Sequence, residues 1–183
     1  LSFDTLPQHW LLVEQMRGVR WSYNALSEGD FEDGSMMIQR GWLSPSGAAS
    51  PSASGVELSL QRARSGRSSL RLYADAVPST SRAGIDQWTA SMTSAPIQVH
   101  PGQLVRIHGW VNVPRPITNS HDGLMIFDTL SGIDFAERIK ATSGWREFTL
   151  YRKAGSLSQL RIVLGLTGAG EAYIDDVSVT IMP

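Results

Sequence analysis

Ala172-Tyr173-Ile174-Asp175-Asp176-Val177-Ser178-Val179-Thr180-Ile181, close to the end of the chain, is the stretch that decides the fold. Val177, Val179 and Ile181 alternate with Ser178 and Thr180, which is the period of a half-buried strand. Ile174 is also apolar but stands in the opposite phase, so one residue has to be absorbed between it and Val177. A bulge at Asp175-Asp176 does this most simply, because it sets two residues of one strand against one of its neighbour. Adjacent carboxylates at such a kink repel each other unless a cation or several donors sit beside them. A second acidic group, Glu28, Asp30, Glu32 and Asp33, lies near the start of the chain, just before what reads as a new strand pattern. A closed fold that brings the two groups together has a calcium site. Two separate solvated acidic turns read equally well from these residues alone.

Outward from that strand, short period-2 runs follow one another, punctuated by Gly, Pro, Ser and Asn. Residues 55–60, 69–74, 89–99, 103–113, 123–127, 146–152, 159–166 and 172–181 read as strands. Such a series, with no convincing second helix, means an all-β sandwich or barrel. The one helix expected lies ahead of it. Thr5-Leu6-Pro7-Gln8 matches a capping box, Leu6, Trp10, Val13 and Met16 recur at helical spacing, and Gly18 is a stop. Residues 6–17 thus predict a short amphipathic helix, its stripe buried against the body of the domain or against an upstream domain. Residues 1–23 form an N-terminal extension or linker, and residues 24–183 form one domain. Residues 44–54, rich in Ser, Pro and Ala, read as a loop within it rather than a boundary, since residues 36–42 could not form a core alone.

The central run, residues 103–113, carries the most information. Val105, Ile107, Val111 and Val113 share one face, while Arg106, His108, Trp110 and Asn112 share the other. An indole between imidazole and amide on a solvent face needs a reason. Either a loop or the N-terminal helix covers it, or it is a ligand platform, because pyranose rings stack their apolar faces on indole while polar neighbours bond the hydroxyls.

Composition excludes several classes. The 183 residues carry a net charge of -1 and no cysteine. No basic stripe suits a nucleic acid, no disulfide or thiolate metal site can form, and no apolar run approaches the ~20 residues of a membrane helix. The chain begins at Leu1, as an excised or processed piece would. Nucleophile elbow, zinc helix and phosphate loop are all missing from the sequence. The four histidines have no metal spacing, and His121-Asp122-Gly123 reads as a turn. A glycosidase needs two carboxyls close in space, and the acidic pairs here fall away from the Trp110 face. The sequence therefore reads as non-enzymatic.

Five motifs in order resemble one family. Asn24-Ala25-Leu26-Ser27-Glu28-Gly29-Asp30-Phe31-Glu32 with Gly41-Trp42 is similar to the opening of CenC-like carbohydrate-binding modules. Ser65-Gly66-Arg67-Ser68-Ser69-Leu70-Arg71-Leu72 resembles their second strand. Pro101-Gly102-Gln103, Gly144-Trp145-Arg146-Glu147-Phe148 and the terminal Ala172–Val179 stretch complete the series. Ser27-Glu28 departs from it where the family has Asn. The resemblance implies a galactose-binding-like jelly roll, a two-sheet antiparallel sandwich whose first and last strands lie side by side. It implies a structural calcium held by Glu32, by backbone oxygen of Asp30 and around Ser68, and by Asp176, with Asp175 as the alternate. It also implies an exported bacterial accessory module that binds a polysaccharide, with Trp110, His108, Asn112 and Arg106 as the glycan face. Trp88 is a further candidate; Gln87, Arg82, Asp128 and Arg161 are weaker ones. Trp42 and Trp145 match core positions. The alternative is a spacer with the same fold and no working sugar site.

Overall fold

A computed structural model describes residues 23–44, 53–75, 88–156 and 159–182. The expected N-terminal helix, most of the Ser-rich loop, Arg82 and Gln87 lie outside the described residues. Eleven strands form the body. One sheet has the order β1-β2-β11-β5-β8, built from Ser54–Ser59, Ser69–Ala74, Gly170–Met182, Leu104–Asn112 and Arg146–Lys153. The second has the order β3-β10-β6-β7, from Trp88–Thr93, Ile162–Thr167, Leu124–Asp128 and Glu137–Ile139. A short pair, β4 (Ile97–Gln98) with β9 (Gln159–Leu160), completes it. Every pairing is antiparallel.

The alternation read in the sequence fixes what lies between the sheets. Val105, Ile107, Val111, Leu70, Leu72, Ile174 and Val179 are buried from one side. Ala90, Leu124, Ile126, Ile139, Leu164 and Leu166 meet them from the other. The one-residue slip in β11 is present: Asp175 faces Trp110 and Ser178 faces His108, so three steps on β11 oppose two on β5. Asp176 takes up the excess with a φ of 49°. Both Ile174 and Val177 can then point inward, at 0% and 2% exposure. The first segment lies beside the last strand, with Ala25 N donating to Val179 O at 2.7 Å and Val179 N donating to Asn24 Oδ1 at 2.9 Å.

Three local expectations need correction. Instead of a strand pattern after Asp33, the chain forms helix α1, Gly34–Arg40. Asp33 caps it by accepting from Ser35 N and Met36 N, and Gly41 ends it in the left-handed region at φ 95°. The run 89–99 breaks into β3 and β4, and 159–166 into β9 and β10. Trp42 is core at 3% exposure, edge-on to Phe31 at 5.3 Å, but Trp145 is only half-buried.

Candidate functional site

The five-stranded sheet presents the residues that alternation placed outward on β5, and each already has company. Trp110 lies under the guanidinium of Arg64, whose Cζ is 3.9 Å from the ring centroid. His108 Nε2 is 2.7 Å from Glu147 Oε1, and Arg106 Nε donates to Thr180 Oγ1 at 3.2 Å. Asn112 is buried, its Oδ1 without a hydrogen-bond partner. The sequence anticipated cover for Trp110 from a loop or from the N-terminal helix. It comes from the loop between β1 and β2, through Arg64.

That same loop gathers both acidic groups. Asp175, fully buried, accepts on Oδ2 from Arg64 N at 2.7 Å and Ser65 N at 3.3 Å, and on Oδ1 from Asp176 N at 2.8 Å. Asp176 takes Arg64 Nη1 and Ser65 Oγ, both at 2.7 Å. Glu32 Oε1 accepts from Arg67 N at 2.8 Å and Ser68 N at 3.1 Å. Gly66 is required here: its φ is 61°, and a Cβ would lie 2.2 Å from Glu32 Oε1. Ser68 Oγ donates to Phe31 O at 2.6 Å, and Asp30 is exposed. Backbone N–H groups of Ser68 and Arg67 lower the Glu32 pKa, whereas burial raises that of Asp175 against its donors.

A calcium ion needs six to eight oxygens free to turn toward it. Here the carboxylates turn to N–H, hydroxyl and guanidinium groups, and Ser68 offers donors rather than a carbonyl. Among the described residues no group of three or more His, Asp or Glu side chains is placed to hold a metal ion, which leaves backbone oxygens out of account. In this arrangement N–H, hydroxyl and guanidinium donors occupy the carboxylate oxygens that the resemblance assigns to calcium, and they relieve the repulsion at the bulge.

Trp88 stands apart from the other candidates, on the outer face of the four-stranded sheet. It opens β3, opposite Thr167 and just past a register shift in β10. Its ring covers Gly165, where a Cβ would fall 2.2 Å from Cζ3. Phe127 lies beside it, the ring centroids 5.8 Å apart and the planes 19° from parallel. Trp88 is 36% exposed and Phe127 half-buried. Ser91 and Met125 flank Gly165 across the sheet, and Thr93 and Phe127 flank Val163. Beyond Met125 stands Arg138, which is held by Asp122 Oδ1 at 2.8 Å and by the carbonyls of Ala136 and Ile133. Phe127 did not stand out in the sequence. Leu124-Met125-Ile126-Phe127 is apolar at every position, so alternation could not tell its outward residues from its inward ones.

Of the weaker candidates, the two that lie within the described residues have structural partners. Asp128 is fully buried against Arg152, and Arg161 Nη1 donates to the carbonyls of Gly41 and Ser94.

No family model matches the chain, and no curated protein matches it in sequence. Solved structures share its fold. It is similar to the family 61 carbohydrate-binding module TmCBM61 in complex with β-1,4-galactotriose, with a TM-score of 0.58 and 13% identity, covering 86% of this chain and 98% of that one. A family 4 module (CBM4) gives a TM-score of 0.56 at 18% identity, with 86% and 99% of the two chains covered. An arabinose-bound α-L-arabinofuranosidase (MgGH51) gives 0.59 at 12% identity over 90% of this chain but 27% of the enzyme. The chain therefore has the antiparallel β-sandwich fold seen in these carbohydrate-binding modules.

Proposed function

We propose that this domain is a non-catalytic glycan-binding module whose binding face is the outer surface of the four-stranded sheet. The observation that carries the reading is the near-parallel Trp88–Phe127 pair laid over Gly165. A β-strand glycine beneath an indole lets the ring come close against the sheet, and at 36% exposure the indole keeps part of its apolar surface in water, where a pyranose can reach it. On the same face Thr93 supplies a half-buried hydroxyl, and Arg138 stands farther along it on β7. Trp110 is not the platform, since Arg64 already stacks on its ring. The likeness in fold to modules such as one solved with β-1,4-galactotriose supports the reading. An exported parent protein with an upstream domain is the setting such a module implies.

Affinity electrophoresis over a panel of soluble polysaccharides tests it. One glycan class should retard the domain. Trp88→Ala and Phe127→Ala should each weaken binding about tenfold or more, equivalent to about 1.4 kcal/mol. Gly165→Ala should weaken it too, because the added carbon lifts the indole off β10. Trp110→Ala should leave it intact. Retardation lost in Trp110→Ala and kept in Trp88→Ala would move the site to the other sheet. No retardation on a broad panel would favour the spacer.

A further inference from the structure

The face that carries Trp88 does not end at Phe127. Register continues it straight across the four-stranded sheet, from Ser91 to Gly165, Met125 and Arg138. Met125 is buried yet is not part of the core between the sheets, so side chains of the outer face close over it. Arg138 lies two strand spacings from Gly165, about 10 Å, within reach of a sugar ring next to one resting on Trp88. Its guanidinium is fixed before any ligand arrives. Nε donates to Asp122 Oδ1 at 2.8 Å, Nη1 to Ala136 O at 3.1 Å and Nη2 to Ile133 O at 3.2 Å. A guanidinium has five N–H groups, so one on Nη1 and one on Nη2 have no acceptor among the described residues. Asp122 Oδ2 likewise has no donor among them, since the carboxylate meets Arg138 through Oδ1. Both side chains are partly exposed.

We propose that Arg138 and Asp122 form the polar subsite of this face and bind two adjacent hydroxyls of a neutral sugar ring. The inference rests on the reading of the Trp88 face as the glycan site. A hydroxyl both donates and accepts. One hydroxyl therefore accepts from a free N–H of Arg138 while its neighbour donates to Asp122 Oδ2, and bonds to charged groups are the stronger kind. Because Asp122, Ala136 and Ile133 already hold the guanidinium, little side-chain freedom is lost on binding. The same pair selects against an acidic sugar. A uronate accepts from Arg138 only by lying beside the Asp122 carboxylate, and two carboxylates that share a site repel each other. The ligand class is a polysaccharide of neutral sugars with free neighbouring hydroxyls.

Affinity electrophoresis with galactan, xylan and mixed-linkage glucan as neutral polymers, and polygalacturonate as the acidic one, separates the outcomes. A neutral polymer should retard the domain, and polygalacturonate should not. Arg138→Lys, which keeps the charge and loses the fork, should weaken retardation by the neutral polymer about tenfold, and so should Asp122→Asn. Asp122→Asn should also bring polygalacturonate closer to the neutral polymer, a change of preference that lost packing alone would not produce. It lies in a turn and leaves β7 untouched, so it carries the test if the Arg138 variant misfolds. Binding that Trp88→Ala weakens, while Arg138→Lys and Asp122→Asn leave it at the parent's strength, overturns this inference and keeps the platform. Stronger retardation by polygalacturonate than by every neutral polymer overturns it too. If no polymer retards the domain, or Trp88→Ala changes nothing, the reading of the face fails and takes this inference with it.

Discussion

Arg64 does two things with one guanidinium. Nη1 meets Asp176 at 2.7 Å, and Cζ sits 3.9 Å above Trp110. With the Arg64 side chain 37% exposed, the ion pair is screened and contributes about 0–1 kcal/mol. The stacking contributes about 0.5–1 kcal/mol at such a site. A double-mutant cycle of Arg64→Ala and Trp110→Ala, followed by urea unfolding, should give a coupling of about 0.5–1 kcal/mol. A coupling within about 0.3 kcal/mol of zero would mean that the two merely lie near each other. At this scale the sequence was legible in one respect only. It placed Trp110 outward correctly, because alternation fixes a side chain's face. It could not say that an arginine 46 positions earlier would lie on the ring, nor that Trp88, at a strand end, would lie flat over Gly165. Contacts between residues far apart in the chain leave no periodic trace.

Elements were legible where they are long. The bulge in β11 showed itself because apolar residues on both sides of it fix two phases that cannot be reconciled without an extra residue. Helix α1 did not, since Gly34–Arg40 is barely two turns and buries Met37 alone, too little for a 3.6-residue period. Its signals were the caps, Asp33 and Gly41. The loop that meets the bulge carries a pH prediction. The folded pKa of Glu32 is lowered by the N–H groups of Ser68 and Arg67. Its contribution to stability is therefore fully present above the ordinary carboxylate value and is lost as pH falls through the lowered one. Asp175 acts in the opposite sense, its pKa raised by burial, so the parent's own pH profile mixes the two. Comparing the parent with Glu32→Gln cancels Asp175. The difference in urea midpoint should hold steady around neutrality and close in acid, and a difference that widens in acid would contradict the assignment. EDTA should leave the parent's midpoint unchanged, because N–H, hydroxyl and guanidinium donors already occupy the carboxylate oxygens of the loop. A fall in the midpoint that calcium reverses would show that the carboxylates can turn toward an ion.

Among the described residues, two large sheets are held together mainly by apolar contact, and a buried ion pair ties them at an end. Arg152 belongs to β8 of the five-stranded sheet, in phase with the inward Phe148 and Leu150. Its Nε donates to Asp128 Oδ2 at 2.5 Å, at the end of β6 in the other sheet. The two side chains are 6% and 0% exposed. The remaining groups are satisfied as well: Arg152 Nη2 donates to Phe135 O, and Asp128 Oδ1 accepts from Leu130 N and Ser131 N. The sandwich as a class was legible, since turns and alternation mark a series of short strands, although two of the eight expected runs each break into two. This tie was not legible: Asp128 read as a weaker glycan candidate, and nothing in the sequence joins it to Arg152, 24 positions away. Removing one partner leaves a buried charge unmatched, which costs about 3–5 kcal/mol. That is a large fraction of the roughly 5–15 kcal/mol that holds a domain folded. Asp128→Asn isolates the charge, since the amide keeps an oxygen for Leu130 N and Ser131 N while Arg152 loses its counter-ion. Urea unfolding should place Asp128→Asn and Arg152→Ala both about 3–5 kcal/mol below the parent. Combining Asp128→Asn with Arg152→Met, which removes both charges and keeps the stem's volume, should recover much of the loss. If the single variants each cost under about 1 kcal/mol, within the range of surface pairs, water reaches the pair and the sheets are held by their apolar faces alone.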